Sequence, residues 1–112
     1  MGKQAIRYGV AEARVAETQR PLVYLNQFGG QDELVFDGAS FVLNADGSCV
    51  VQLPAWEKVA VITDWHLGAM GWHCAQGEIT AIEAGEAANY LACVTGLRDY
   101  INKNGFPGVV LG

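Results

Sequence analysis

The sequence predicts an α/β fold from three observations: two stretches with helical periodicity, several short runs of apolar and β-branched residues, and one clear hairpin turn. The hairpin turn is Asn44-Ala45-Asp46-Gly47, which connects the predicted strands 40–43 and 48–53. A chain of 112 residues is at most one domain and can bury only a modest core. We therefore expect a small mixed structure with apolar surface left over for a neighbour.

The first helix is predicted from Gln4 to about Glu17. Ile6, Val10 and Ala13 share one face and form its apolar stripe, while Arg7, Glu12 and Arg14 lie around the other. The segment 18–21 breaks the helix, and residues 22–25 are predicted as a short buried strand that ends at Asn26.

An acidic loop follows, from Asn26 to Ser40. Gly29-Gly30 permits an unusual backbone, and Asp32, Glu33 and Asp37 come after it, around a brief predicted strand at 34–36. Acidic groups at these spacings point in different directions and match no calcium loop, so a metal site is disfavoured. The preferred prediction is a structural role, in which the carboxylates accept backbone amides around a Gly29-Gly30 turn.

The middle of the chain is predicted to contain one strand and one irregular segment. Residues 59–62 are predicted as a strand, and 64–77 as an irregular crossing segment at a domain boundary. Asp64, His66, His73 and Cys74 are metal-ligand types, but their spacing matches no structural zinc site. We expect these imidazoles and the neighbouring tryptophans to be partly buried and to hold this segment in place.

The second helix is the longest, beginning near Ile79 or Ala84 and ending at Asn104-Gly105, with Lys103 in its last turn. Its apolar stripe is predicted to be core or interface, and consists of Ala87, Tyr90, Leu91, Val94, Leu97 and Ile101. Residues 108–111 are predicted as a buried strand of a parallel sheet, and Gly112 as the start of a tight strand-to-helix turn.

The composition excludes some partners. A net charge of -5 with 17% charged residues offers no basic stripe for nucleic acid and no cationic face for a membrane. The cysteines, Cys49, Cys74 and Cys93, are widely spaced without CxxC, which favours reduced thiols. We expect a cytoplasmic protein without a membrane span.

Two strings resemble the glutamine-dependent NAD synthetases. Gly96-Leu97-Arg98-Asp99-Tyr100, followed by Lys103-Asn104-Gly105-Phe106-Pro107, is similar to the family's segment before the ATP-pyrophosphatase loop, SGGxDS, which is absent here. Positions in the first half resemble the C-terminal part of the nitrilase-superfamily glutaminase domain, namely Gly2-Lys3, Arg7, Asn26, Gly29-Gly30, 31–38, Ser40 and Asp46-Gly47.

The resemblance implies an internal fragment, α+β by itself, of a larger enzyme. Residues 1–66 would end a nitrilase-like αββα sandwich, 67–84 would be a linker, and 85–112 would begin an adenine-nucleotide α-hydrolase-like parallel sheet. The missing domains of the same polypeptide would be its partners, and a homo-oligomer is expected.

The resemblance also implies the chemistry of the parent. A cysteine, a glutamate and a lysine, all upstream of Met1 in the family order, release ammonia from glutamine, so no catalytic residue is expected in this chain. ATP with magnesium then adenylates nicotinate adenine dinucleotide, which ammonia attacks. Two contacts are expected here, Lys3 with the glutamine α-carboxylate and Gly112 at the start of the ATP loop, and no metal or cofactor site.

Two alternatives stay open. One is the tail of another nitrilase-superfamily amidase, which explains residues 2–53 but gives 96–112 no purpose. The other is a freestanding binding or assembly module. A reading frame that continues past Gly112 into a loop with two glycines, an aspartate and a serine would distinguish the fragment from such a module.

Overall fold

The computed structural model describes residues 2–112, which form two long helices and seven short strands in an elongated molecule of 60 × 29 × 21 Å. In chain order the elements are α1 (Lys3–Thr18), β1 (Leu22–Tyr24), β2 (Phe28–Gln31), β3 (Leu34–Asp37), β4 (Phe41–Leu43), β5 (Cys49–Gln52), β6 (Trp65–Gly68), β7 (Gly71–Cys74) and α2 (Gly85–Asn104). Neither helix is both long and apolar enough to cross a bilayer.

The main core lies between α1 and an antiparallel sheet with the strand order β1-β4-β5. Side chains alternate across β4, so Phe41 and Leu43 face α1 while Val42 faces the other side. The rings of Tyr8 and Tyr24 stack on Phe41, with centroid distances of 4.4 and 4.9 Å. On the opposite face, Val42 packs in a second cluster with Val50, Val51, Leu53 and Cys74.

The prediction for the apolar face of α1 was wrong. The helix buries Ala11 and Val15, whereas Ile6 and Val10 are 55% and 59% exposed. The buried side carries small and β-branched residues, which allow close approach to the sheet. It also presents Arg7 to Asp37 at the end of β3.

The predicted β4–β5 hairpin is confirmed, although both strands are shorter than expected. The amide and the hydroxyl of Ser48 both donate to the carboxylate of Asp46 in the turn, and Gly47 adopts a φ of +83°. A left-handed position of this kind favours glycine, which explains why the turn was recognisable from sequence.

Strands β2 and β3 form a separate antiparallel hairpin, in which Gly30 lies opposite Val35. The turn is at Asp32-Glu33, and Asp32 has a φ of +52°. The expectation of a turn at Gly29-Gly30 was therefore wrong, because both glycines lie inside β2. Helix α2, whose predicted end at Asn104 is confirmed, packs against this hairpin.

The apolar stripe of α2 does not form core within the described residues. Tyr90, Val94 and Leu97 are exposed, and Thr95 is the buried residue of the helix. The helix turns its small residues toward the hairpin because they let its backbone come close to that of β2. Leu91 and Ile101 are half-buried, and the interface alternative stays a prediction.

The segment predicted to be irregular contains a second small hairpin, β6–β7, in which Leu67 pairs with Trp72 and His66 with His73. Gly68 and Gly71 face each other where the hairpin turns, so the prediction of an irregular segment was wrong for residues 65–74. Trp65 packs on the core, whereas both histidines are exposed, contrary to the expectation of partly buried imidazoles.

Two predicted strands are absent from residues 2–112. Residues 59–62 run as an exposed irregular segment, and residues 108–111 are exposed with Val110 at 97%. Both runs are rich in β-branched residues, but neither pairs with a strand among the described residues. All strand pairs in the three sheets are antiparallel, so the predicted α+β mixture is confirmed and a parallel sheet is not found in this part.

Candidate functional site

The candidate site is a cleft of about 310 Å³ between β2 and the C-terminal half of α2. Its wall combines polar and apolar groups and consists of Gln27, Phe28, Gly29, Gly30, Gln31, Phe36, Asp99, Asn102 and Lys103. None of these lining residues is a cysteine, serine or threonine. The charged side chains of the wall are those of Asp99 and Lys103.

Both backbone groups of Gly30 are held by side chains of α2. The Gly30 amide donates to Oδ2 of Asp99 at 2.7 Å, and the Lys103 ammonium donates to the Gly30 carbonyl. Asp99 and Lys103 are four positions apart and so lie on the same face of the helix. In this way the side chains of α2 satisfy the backbone N–H and C=O groups of Gly30 in β2, as a third strand would.

The glycines are required by how closely the helix approaches. A Cβ on Gly30 would lie 3.2 Å from Cα of Gly96 and 3.3 Å from Cβ of Asp99. Gly29 has a φ of +127°, and a Cβ there would meet Oδ2 of Asp99 at 3.0 Å. On the helix side, a Cβ on Gly96 would lie 3.0 Å from Cγ2 of Val35. A side chain at position 30 would therefore press on the helix backbone, whereas one at position 96 would press on the side chain of Val35.

The carboxylate of Asp99 is stabilised in its charged form. The hydrogen bond from the Gly30 amide, followed by the hydrogen bond and charge of Arg98, lowers the pKa of Asp99 below its usual range. The Arg98 guanidinium donates to Oδ1 of Asp99 at 3.2 Å and lies 5.8 Å from the ring centre of Phe28. The carboxylate thus joins the helix to the strand while carrying a full charge at neutral pH.

A second polar network holds the other end of the same hairpin. Nη1 of Arg7 lies 2.8 Å from both carboxylate oxygens of Asp37, and Asn26 donates its side-chain amide to Oδ1 of Asp37 and to the Gly38 carbonyl. The hydrogen bond to Asp37 raises the pKa of Arg7. The hydroxyl of Ser40 accepts a hydrogen bond from the backbone N–H of Asn26, so it is engaged in a structural contact. The hairpin is therefore attached to α1 at its base and to α2 along its edge.

The predicted role of the acidic loop needs correction. Asp37 is structural, but its partners are the side chains of Arg7 and Asn26 rather than backbone amides near Gly30. Asp32 and Glu33 are exposed in the turn, and the carboxylate that binds the Gly30 amide is Asp99. Within residues 2–112, no three His, Cys, Asp or Glu side chains are grouped to hold a metal ion.

The two predicted contact residues lie outside the cleft. Lys3 is exposed in the first turn of α1 and makes no hydrogen bond or ion pair with any residue that the structure describes. Gly112 is exposed, outside any helix or strand. The structure does not bring these two residues together with the Gly30 contacts.

The cysteines occupy three different environments. Cys74 is buried, and burial raises the pKa of its thiol, so it stays protonated. Cys49 is half-buried with its sulfur 2.9 Å from the hydroxyl of Tyr8, whose pKa is raised by burial and by that contact. Cys93 is exposed on α2. Among residues 2–112, none of these thiols is hydrogen-bonded to a histidine.

Asp99 and Lys103 were not recognised as site residues from the sequence. Asp99 was noted only within a family string, and Lys103 only as the cation of the last helical turn. The sequence feature that could have identified them is a pair of opposite charges four positions apart, on the helix face that also carries Thr95 and Gly96. A helix face made of small residues and paired charges indicates close packing on a backbone.

Comparisons with known proteins support the resemblance. The carbon-nitrogen hydrolase family profile matches residues 5–71. The glutamine-dependent NAD(+) synthetase of Rhodobacter capsulatus is 52% identical over 111 residues, and that of Xanthomonas campestris is 37% identical; each alignment covers 99% of this chain and 20% of the relative. The structure of the glutamine-dependent NAD+ synthetase from Acinetobacter baumannii with adenosine diphosphate superposes with a TM-score of 0.84 at 32% identity. That match covers 96% of this chain and 20% of the other.

The predicted resemblance to glutamine-dependent NAD synthetases is thereby confirmed. The chain spans about a fifth of the length of the relatives that it matches.

Proposed function

We propose that this chain is one part of a larger glutamine-dependent NAD(+) synthetase. The chain belongs to the carbon-nitrogen hydrolase family, which supports this proposal. The observation that carries the proposal is the similarity to the Rhodobacter capsulatus relative, which extends through almost the whole chain rather than stopping where the hydrolase family match ends. An amidase tail would share only the first part. The similarity across α2 favours the synthetase over that alternative.

The proposed division of the chain is the one expected from sequence. Residues 1–66 complete a nitrilase-like glutaminase domain, 67–84 form the linker, and 85–112 begin a nucleotide-binding domain of the adenine-nucleotide α-hydrolase type. The packing of α2 supports this division, since α2 contacts the β2–β3 hairpin but does not pack on the core between α1 and the β1-β4-β5 sheet.

The proposed parent carries out two reactions. At the glutaminase site, a cysteine nucleophile, a glutamate base and a lysine hydrolyse glutamine to glutamate and ammonia. At the second site, ATP with magnesium activates nicotinate adenine dinucleotide, and ammonia forms the amide of NAD. We assign these catalytic groups and the magnesium site to polypeptide outside residues 1–112. The parent is proposed to act in the cytoplasm.

Two residues of this chain are proposed to contact substrates of the parent. The ammonium group of Lys3 would pair with the α-carboxylate of glutamine, and its exposed position at the start of α1 leaves it accessible. Gly112 would open the loop whose backbone amides bind the phosphates of ATP. In each case the rest of the site is supplied by the missing domains.

The test uses the protein encoded by the complete reading frame. With ATP and nicotinate adenine dinucleotide, we expect it to form NAD with either glutamine or ammonium as the nitrogen donor. Lys3→Met should raise the KM for glutamine while leaving the ammonium-dependent rate unchanged, and Arg20→Met, which removes another exposed cation, should change neither. Absence of NAD formation with both donors would overturn the proposal.

The 112-residue chain provides a complementary measurement. We expect neither glutaminase activity nor exchange of pyrophosphate with ATP, because its described residues supply no nucleophile in an activating setting. Turnover by this chain would show that the chemistry does not reside in missing domains. A stop codon directly after Gly112 in the native gene would favour a freestanding module instead.

A further inference from the structure

The contact between α2 and the β2–β3 hairpin includes directional polar interactions. Thr95 of α2 is buried, and Gly96 lies close to the side chain of Val35. Its specific interactions are the two hydrogen bonds to Gly30, from Asp99 and Lys103. Hydrogen bonds depend on direction, whereas apolar burial does not. These two side chains therefore add a directional constraint to the angle and register of the helix on the hairpin.

The two contacts also resist sliding. Asp99 accepts and Lys103 donates, so a shift of α2 by one turn would place each charge opposite the wrong backbone group of β2. Glycines at positions 30 and 96 bring the two backbones together at a single place, because any other register would put side chains between them. The arrangement thus permits one placement of the helix.

On the proposed function, these residues join the two halves of the enzyme. Residues 28–37 belong to the glutaminase part, and α2 leads toward Gly112, where the nucleotide loop is proposed to begin. We propose that Asp99 and Lys103 are positioning residues whose contacts with Gly30 hold the synthetase part in register with the glutaminase part, so that ammonia released at one site is delivered to the other.

The inference rests on the proposed function and adds a role for residues that the resemblance does not assign. Neither side chain touches a reacting atom. Loss of either contact lets α2 shift on the hairpin, and ammonia then escapes to solvent before it meets the activated dinucleotide. Misplacement of about 1 Å can reduce the rate of an oriented reaction about a hundredfold. Ammonium supplied from solvent does not depend on this delivery.

The experiment compares nitrogen donors in the full-length enzyme. For Asp99→Ala and for Lys103→Met, we expect the glutamine-dependent rate of NAD formation to fall about tenfold or more, with the ammonium-dependent rate within about twofold of the unchanged enzyme. The amount of glutamate released per NAD formed should rise severalfold. Lys103→Arg, which keeps a cationic donor, should retain most of the coupling.

Two control variants are matched to these changes. Glu86→Ala removes an exposed carboxylate from the first turn of the same helix, and Arg20→Met removes an exposed cation distant in sequence from it. Neither should alter the ratio of glutamate to NAD. The ratio distinguishes positioning from general stability, because partial unfolding lowers the rates with both donors together.

Each other result has a definite meaning. An equal loss with both donors, or no change in the glutamate-to-NAD ratio, overturns the positioning role while leaving the proposed function intact. Failure of the unchanged enzyme to form NAD with either donor overturns the proposed function, and the inference with it.

Discussion

Gly30 and Asp99 are 69 positions apart in the chain, and the amide of the first donates to Oδ2 of the second at 2.7 Å. This bond places a charged side chain of α2 on the exposed edge of β2. Since a strand edge with unsatisfied backbone groups invites other strands, the carboxylate also protects the hairpin from improper pairing. A single long-range contact therefore serves both the local stability of β2 and the position of α2.

The Asp99 contact should make stability depend on acidic pH. Because the folded-state pKa of Asp99 lies below its ordinary value near 3.8, its contribution is fully present above that value and is lost as the pH falls through the lowered pKa. The free energy of unfolding of the unchanged chain should therefore exceed that of Asp99→Asn at about pH 6, and the difference should shrink below about pH 3.

Denaturant unfolding at a series of pH values measures this difference. Asp32→Asn, which neutralises an exposed carboxylate in the β2–β3 turn, is the matched control and should show no such convergence. A gap between the unchanged chain and Asp99→Asn that stays constant with pH would contradict the prediction.

The ion pair between Arg7 and Asp37 should contribute more than the other arginine–carboxylate pair of α1. The side chains of Arg7 and Asp37 are 21% and 20% exposed, whereas those of Arg14 and Glu17 are 59% and 57% exposed. We expect Arg7→Met to lower the free energy of unfolding by roughly 1–2 kcal/mol, because it leaves Asp37 without its cation. Arg14→Met should cost less than about 0.5 kcal/mol.

Urea titrations of both variants, each compared with the unchanged chain, provide the measurement. Raising the salt concentration should weaken the exposed pair more than the half-buried one. Equal effects of the two substitutions would mean that the Asp37 network does not anchor the hairpin to α1.

The aromatic stack around Phe41 should dominate the stability of the main core. Its ring is buried between Tyr8 and Tyr24, so Phe41→Ala removes two stacked contacts and leaves a cavity. We expect a loss of about 3–5 kcal/mol in the free energy of unfolding, seen as a lower urea midpoint. Phe106→Ala, at a half-exposed ring after α2, should cost less than about 1 kcal/mol.

The 112-residue chain should self-associate through its outward apolar faces. The stripe on α2 exposes Tyr90, Val94 and Leu97, and α1 exposes Ile6 and Val10. Size-exclusion chromatography with light scattering should therefore show a mass above that of one chain. Leu97→Glu should shift the distribution toward monomer, while Val110→Glu should shift it less.

A concentrated solution containing only monomer would contradict this prediction. It would also count against the homo-oligomer that the sequence analysis predicts.

The sequence alone determined the features that depend on neighbouring residues. The end of α2 at Asn104 and the turn at Asn44 to Gly47 were predictable because capping and left-handed turn positions are local properties of the backbone. The family resemblance was carried by literal strings. In both cases, the information lies within a few consecutive positions.

Only the tertiary structure decided which faces are buried and which edges are satisfied. Periodicity identifies the residues that share a helix face, but it does not show which face is buried. In α1, Ala11 and Val15 are buried instead of Ile6 and Val10, because the helix packs closely on the sheet and Arg7 contacts Asp37. Gly30 was predicted to lie in a turn. Its actual role is to let α2 come close to β2, and the helix residue that it contacts, Asp99, is 69 positions away in the sequence. A strand or a helix face becomes buried only when a partner surface lies beside it, and that partner is chosen by contacts distant in the sequence.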